Sequence, residues 1–483
     1  MPVDAFGSAV ELAAAIRARR CSACELTELY LARIARYNPS LNAICTLDEA
    51  GALRRAREAD AALTRGELWG PLHGVPMTIK DALETAGVRT TGGHLPLKDY
   101  VPARDATAVA RLRAAGAILL GKTNVPPLSA DYRADNEIFG RTNNPWNVER
   151  TPGGSSGGAA AAVAAGLTGF DVGSDLAGSV RTPAHFCGLF ALKPTERRIP
   201  NTGHIPEPPG LPRAVRHMNV LGPLARSVED LVVLTRAMCG TDEAEWDVPP
   251  MPWIEPPERE LGSHRFAWSA NFAGLPVTPD TRNAIARLAD QLANVGCAVE
   301  ERNPDALDWN DLWECWGEIA ITERAATGGD RSRERVAALN KTLGDSYAVA
   351  RGSAKGMKAT VADYAAALTR RDALITTLEK FFERCDAFIC PVTVSPAIGH
   401  VPFGTPIDVG ADTVPYFIAG TAYTCPFNLT GHPSVVIPLA KSKEGLPIGV
   451  QLVGRRWSEP ALLAAAQKVV LITGPFTRPP NYR

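Results

Sequence analysis

Residues 151–184 read TPGGSSGGAAAAVAAGLTGFDVGSDLAGSVRTPA, and the rest of the chain is arranged around them. The stretch holds two serines framed by glycine. Gly153, Gly154, Gly157 and Gly158 surround Ser155 and its neighbour Ser156, and Gly173 and Gly178 precede Ser179. Glycine loses the most backbone freedom on folding. This density therefore suits loops that approach something closely or take torsions barred to other residues. Between the loops, Ala159–Ala165 is alanine-rich and predicts a short buried helix. The order is loop, helix, strand, loop, which can bring both hydroxyls to one side of a sheet.

On the N-terminal side, residues 8–37 predict two amphipathic helices, the second ending at Asn38-Pro39. Ala50–Arg65 and Ala106–Ala115 predict further helices. Val75–Ile79 and Ala117–Leu120 are short apolar runs with β-branched residues and predict buried strands. Lys80 and Asp81 stand at the C-terminal end of the first of these strands, where open α/β sheets tend to place their sites. Downstream, Val228–Met238, Arg282–Val295 and Leu462–Ile472 predict helices. Ala298–Glu301, Ala387–Pro391, Val435–Leu439 and Ile448–Val453 predict strands. Asp308 to about Arg384 reads as mostly helical, with a polar middle at Gly328–Glu334. The Pro- and Gly-rich loop from Pro194 to Pro212 is long enough to border a pocket. Strands interleaved with helices throughout predict one α/β layered unit over residues 1–483.

The 483 residues are 45% hydrophobic and 21% charged, with net charge −1. This is an ordinary globular balance, without the electrostatic footprint of a nucleic-acid or acidic-membrane binder. The runs Arg17–Arg20 and Arg331–Arg335 read as solvated helix faces. The N-terminus lacks a signal peptide's basic start and apolar core, and no stretch reaches the ~18 apolar residues of a membrane span. Ten scattered cysteines predict a reduced, cytoplasmic chain. Cys21-x-x-Cys24 has no second pair with which to bind zinc. No metal or cofactor is expected.

Two literal motif matches fail on context. Gly116 to Thr123 fits GxxxxGK[ST], but a helix precedes it, its middle is a stiff apolar strand, and Pro126-Pro127 blocks a following helix. Gly153-x-Ser155-x-Gly157 fits the nucleophile elbow, which needs a strand before it and a later acid and histidine. The preceding Arg141–Pro152 is polar and holds Pro145 and Pro152. His400 and His432 lie downstream among prolines, so a Ser–His–Asp site is the weaker alternative. A third combination is Lys80, Ser155 and Ser179. A serine hydroxyl needs a base to take its proton. Lysine can serve when burial disfavours its charged form, and Lys80 ends an apolar strand.

These residues lie in motifs that follow one another along most of the chain. They include Gly74-Val-Pro-Met-Thr-Ile-Lys-Asp81, Gly121-Lys-Thr-Asn124, Thr142-Asn-Asn-Pro-Trp-Asn147, Thr151-Pro-Gly-Gly-Ser-Ser-Gly-Gly158 and Gly173-Ser-Asp-Leu-Ala-Gly-Ser-Val-Arg-Thr-Pro183. Phe186-Cys-Gly188, Lys193-Pro-Thr195, Pro391, Asn428-Leu-Thr-Gly-His-Pro433 and Gly445-Leu-Pro-Ile-Gly449 complete the series. In this the chain resembles the amidase signature family of serine hydrolases. The resemblance implies an α/β fold with a large mixed β-sheet covered by helices on both faces. It also implies a signature core over about 70–240, with a helical region over about 308–384. By the same resemblance Ser179 is the nucleophile, Ser155 (after a cis Gly154–Ser155 peptide) the proton relay, and neutral Lys80 the base. The backbone N–H groups of Leu176, Ala177, Gly178 and Ser179 would form the oxyanion hole, and Leu128, Ser129 and Tyr132 would border the acyl pocket. The chain departs from the family pattern at Ala177, where glycine is usual, and after Asn124, where Val-Pro-Pro-Leu-Ser-Ala-Asp-Tyr132 replaces an acid and an aromatic or Met.

The expected activity is hydrolysis of the C–N bond of a small apolar or aryl amide, with carbamates and esters sharing the acyl chemistry. The partners are that substrate and water, with no nucleic acid and no membrane. One alternative is the amidase subunit of a tRNA-dependent amidotransferase. That subunit's Ser-Ser-Leu-Asp-Gln run is replaced here by His217-Met-Asn-Val-Leu-Gly222. A non-catalytic binding protein on the same fold is the other. The stretch Ala326–Lys358, Gly- and charge-rich in its middle, is expected to lid the site.

Overall fold

The structure is a computed structural model that describes residues 4–205, 208–344 and 346–482. Eight strands form one mixed sheet. Their spatial order is Ala298–Glu301, Arg265–Trp268, Ala387–Pro391, Pro447–Val453, Ser434–Lys441, Phe190–Lys193, Val220–Ala225 and Asp171–Asp175. The first three run parallel and every later pair is antiparallel. Side chains alternate across a strand, and Val435, Val436 and Ile437 show which helices cover which face. Val435 and Ile437 join the core beneath helices Val228–Met238, Pro279–Asn294 and Glu459–Thr473. Val436 packs on the other side with helices Gly157–Ala164 and Arg181–Cys187. Helices therefore cover both faces.

A second sheet has three strands in the order Ile44–Leu47, Ile118–Thr123, Pro76–Lys80. Its last strand lies against the edge of the large sheet. The Thr78 N–H donates to the Phe170 carbonyl at 3.2 Å, and the Gly169 N–H to the Pro76 carbonyl at 3.0 Å. This contact brings Lys80 alongside Asp171–Asp175. The alanine helix Gly157–Ala164 is buried along its whole length. It packs so closely that a Cβ on Gly158 would stand 2.3 Å from the Asn124 nitrogen, so glycine is required there.

The helix Ala23–Leu41 overruns the expected stop at Asn38-Pro39 and closes on Asn42, whose φ is 51°. Its last turn is held from outside, because Asn38 Oδ1 accepts the N–H groups of Ala43 and Ile44, each at 2.9 Å. The phosphate-loop look-alike is the strand Ile118–Thr123. Lys122 is buried and donates to the Leu83 carbonyl, to Thr85 Oγ1 at 2.7 Å and to Thr90 Oγ1 at 3.2 Å. The region after Asp308 consists of helices Trp309–Leu343, Ala348–Gly356 and Val361–Phe381, the first broken at Gly328 (φ −131°, ψ 42°). No described helix is long and apolar enough to cross a membrane. All ten cysteines are free thiols.

Candidate active site

Lys80 is completely buried. Its Nζ donates to Ser155 Oγ at 2.6 Å and to Ser174 Oγ at 2.9 Å, with the Ser174 carbonyl at 3.4 Å. Burial lowers the pKa of its ammonium to about 7, even though the charges of Asp175 and Asp171 act the other way. The Gly154–Ser155 peptide is cis. The next residue joins the two glycine loops, because the Ser156 N–H donates to the Ser179 carbonyl at 3.1 Å. Lys80, Ser155 and the Ser179 loop therefore meet at one place.

The Ser179 loop is organised by a buried ion pair that sequence reasoning missed. Arg181 donates from Nη2 to Asp175 Oδ1 at 2.9 Å and from Nε to Oδ2 at 3.1 Å, with both side chains wholly inaccessible. The same carboxylate accepts the N–H groups of Gly178 at 2.8 Å and Val180 at 3.1 Å, and Asn428 Nδ2 at 2.9 Å. Burial alone would raise the Asp175 carboxyl, but the Arg181 guanidinium outweighs it and holds the group well below the usual carboxylate range. A signal was present in the sequence. Asp171, Asp175 and Arg181 are the only charged residues in 151–184, and charges inside an apolar segment are paired when buried.

Two side chains hold the loop from behind. Thr424 Oγ1 donates to the Ala177 carbonyl at 2.7 Å, and Trp316 Nε1 to the Leu176 carbonyl at 3.2 Å. The peptide plane is rigid, so anchoring a carbonyl also fixes the direction of the following N–H. The Gly178 N–H is engaged by Asp175, unlike its expected role in an oxyanion hole. The N–H groups of Leu176, Ala177 and Ser179 donate to no group among the described residues. Ala177 lies outside the positive-φ residues, whereas Gly178 has φ 111°. The position that requires glycine is 178, and the methyl of Ala177 leaves the backbone undisturbed.

Ser179 opens into a cavity of about 710 Å³, its mouth included, walled by Tyr132, Trp316, Leu339, Tyr416 and Phe417. That is the size of a small-molecule pocket. Tyr132 stacks on Tyr416 with centroids 4.3 Å apart. Asp131 is ion-paired with Arg133 at 2.9 Å and accepts the Tyr416 hydroxyl at 2.8 Å. Of the three residues expected to border an acyl pocket, Ser129 and Tyr132 line this cavity and Leu128 lines an adjoining chamber. Trp316, Tyr416 and Phe417 come from distant sequence and no local pattern marks them.

The histidines of the elbow alternative lie elsewhere. His400 Nε2 is 3.1 Å from the Val148 carbonyl, and His432 is buried beside Glu379 and stacked on Phe382. Among the described residues no group of three His, Cys, Asp or Glu side chains could hold a metal ion.

The amidase family model matches residues 25–463. A glutamyl-tRNA(Gln) amidotransferase subunit of Roseiflexus sp. (strain RS-1) is 36% identical over 481 residues, covering 95% of this chain and 94% of that protein. Indoleacetamide hydrolase of Bradyrhizobium diazoefficiens is 36% identical over 471 residues, covering 96% and 86%. The solved structure of 6-aminohexanoate cyclic dimer hydrolase matches with TM-score 0.82 at 29% identity, covering 99% of both chains. With the family model matching most of its length and its mixed sheet matched, the chain belongs to the amidase signature family and is an amidohydrolase acting on C–N bonds.

Proposed function

We propose that this enzyme works alone on a small amide with an apolar or aryl body, through an acyl-enzyme on Ser179. Ser155 relays the proton and Lys80 is the base. The observation that carries this reading is the 2.6 Å contact between a fully buried lysine and Ser155. Neutral Lys80 accepts the Ser155 proton as Ser155 Oγ accepts that of Ser179. Ser179 Oγ bonds to the carbonyl carbon, and the carbonyl π pair moves onto oxygen. The unengaged N–H groups of the 176–179 loop receive that charge, and each such donor contributes about 2.7–4 kcal/mol. The proton returns through Ser155 to the leaving nitrogen, the C–N bond breaks, and the amine departs. Water then attacks the ester, passes its proton back by the same route, and frees the acid. Carbamates and esters share the first step and belong to the same proposal. The helices Trp309–Leu343 and Ala348–Gly356 supply Trp316, Leu339 and Ser353 to the cavity wall, which supports their action as a lid.

Intact-protein mass after treatment with a fluorophosphonate tests the roles. One adduct on the wild type, lost in Ser179→Ala and slowed in Lys80→Ala, is the expected result. Labelling that persists in Ser179→Ala overturns it. A second reading, an amidase subunit that works with a protein partner, is supported by the 36% identity to an amidotransferase subunit. The aromatic cavity wall favours the stand-alone enzyme. The purified chain should hydrolyse aryl acetamides unaided, whereas turnover of glutamine alone would favour the second reading.

A further inference from the structure

The run Arg331–Arg335 reads in sequence as a solvated face, and Arg331 and Arg333 are exposed, but Arg335 is partly buried and both Arg331 and Arg335 border a chamber. Arg324, Arg331 and Arg335 line a second space of about 740 Å³, its mouth included, together with His94 and Leu128. Ala130, Arg324 and Arg335 also line the Ser179 cavity, so the two chambers share a wall. The break at Gly328 falls between Arg324 and Arg331, and the helix segments on both sides of it deliver arginine to the same space.

The lining of this outer chamber is basic, with the charge of Asp131 acting on Arg335 from the inner side. None of the described residues lining it is acidic. Asp131, on the inner side, is already held by Arg133 and the Tyr416 hydroxyl. Asp330 is exposed and paired with Arg333. Arg335 donates from Nη1 to the Ala130 carbonyl at 2.6 Å, and neither it nor Arg331 has a carboxylate partner among the described residues. Burial lowers the His94 imidazole, and the charge of Arg331 lowers it further, as a positive field requires. Arginine presents a planar fork that binds a carboxylate in two parallel hydrogen bonds. In a space with low-dielectric walls such a bond is stronger than in water.

We infer that the outer chamber binds a carboxylate carried by the substrate, so that the preferred amide has an apolar body with an anion at the end remote from the scissile bond. This rests on the reading of Ser179 as the reacting group. The aromatic inner cavity would take the body, and Arg331 and Arg335 the anion. The carboxylate could belong to the acyl part or to the amine part, and the test separates the two.

Binding is measured calorimetrically with Ser179→Ala, so that turnover plays no part. For the acyl side, para-(carboxymethyl)phenylacetamide is compared with para-methylphenylacetamide. For the amine side, N-phenylacetyl-para-aminobenzoate is compared with N-phenylacetyl-para-toluidine. In one of the two pairs the carboxylate should bind at least about tenfold more tightly, a difference of about 1.4 kcal/mol. Adding Arg331→Gln or Arg335→Gln should bring that ratio to within about twofold. Arg335 also holds the Ala130 carbonyl, so Arg331→Gln, at the solvent edge, decides the test if Arg335→Gln fails to fold. Ratios near one in both pairs overturn the inference, as does a tenfold ratio that survives Arg331→Gln. Failure of the reaction assignment would appear separately, as a missing fluorophosphonate adduct on Ser179.

Discussion

The indole of Trp316 donates its N–H to the Leu176 carbonyl at 3.2 Å, tying the helix that walls the cavity to the loop that carries Ser179. The same peptide plane sets the direction of the Ala177 N–H, one of the unengaged donors. Trp316→Phe keeps most of the apolar wall but releases this carbonyl. It should lower kcat about tenfold while changing KM less, because the lost interaction matters most when charge develops in the transition state. Steady-state kinetics on one aryl amide checks this. A change confined to KM would mean that Trp316 only shapes the pocket.

Gly178 and Ala177 should respond oppositely to substitution. A Cβ on Gly178 would lie 2.5 Å from Thr424 Oγ1 and 2.8 Å from Thr182 Oγ1, at φ 111°. Gly178→Ala should lower kcat/KM about 100-fold, the scale of a ~1 Å misplacement of reacting groups. Ala177→Gly should leave kcat/KM within about threefold and lower stability by about 0.5–1 kcal/mol through added chain entropy. Comparable loss of activity in both variants would contradict the assignment of the glycine requirement to position 178.

Asp175→Ala removes the only carboxylate bonded to the buried Arg181 among the described residues. Removing one member of a buried pair typically costs about 3–5 kcal/mol, because the other charge is left uncompensated. Denaturant titration should show a loss of this size together with loss of activity. Asp175→Ala combined with Arg181→Met should recover part of the stability and none of the activity.

As the proposed base, Lys80 should set the pH dependence of the reaction. Its pKa in the folded protein is about 7, below the 10.5 of free lysine, so kcat/KM should fall as pH drops through 7 and the base becomes protonated. The stability effect has a definite sign. Between about pH 7 and 10.5 the unfolded chain binds more protons at this site than the folded one, so stability rises with pH across that window. Below pH 7 the penalty of the buried ammonium is present in full. Lys122 and Lys193, lowered by burial to about 8 and about 7, contribute in the same sense. Lys80→Met should abolish activity and make the rise in melting temperature between pH 7 and 10 less steep, with Lys122 and Lys193 still contributing the remainder. An unchanged slope would rule out a lowered pKa at Lys80.

Asp171 acts on Lys80 from the neighbouring strand. Its Oδ2 accepts the hydroxyls of Thr78 at 2.6 Å and Thr123 at 3.1 Å, and burial raises its pKa to about 7. Asp171→Asn keeps an acceptor for the hydroxyls but removes a negative charge near the ammonium. The acid limb of kcat/KM should therefore move to lower pH. A purely structural role would lower kcat and leave the limb in place.

Much of the fold was legible because its signals are local. Val228–Met238, Ala298–Glu301 and Ala387–Pro391 have the expected bounds, since each is a short periodic or β-branched run with clear ends. Phe190–Lys193 and Val220–Ala225 carry no such signal. The second contains Gly222 and Pro223, and it becomes a strand through pairing with Asp171–Asp175. The helix runs past Asn38-Pro39 to Leu41 because Asn38 and Asn42 secure its end with contacts that the local sequence pattern does not carry.

Lys80, Ser155 and Ser179 are legible as candidates because they stand in motifs, two of them glycine-framed, that resemble those of the amidase signature family. The surroundings of those residues are not. Whether the Gly178 N–H faces a substrate or Asp175, whether Leu128 reaches the Ser179 cavity, and whether Arg335 faces water or a chamber all depend on segments far away in the chain. Hydrogen-bond direction and burial are set by whatever packs against a residue. Here that packing is supplied by the helices after Asp308 and by the residues around Tyr416 and Thr424, which only the folded chain brings to the 151–184 loops.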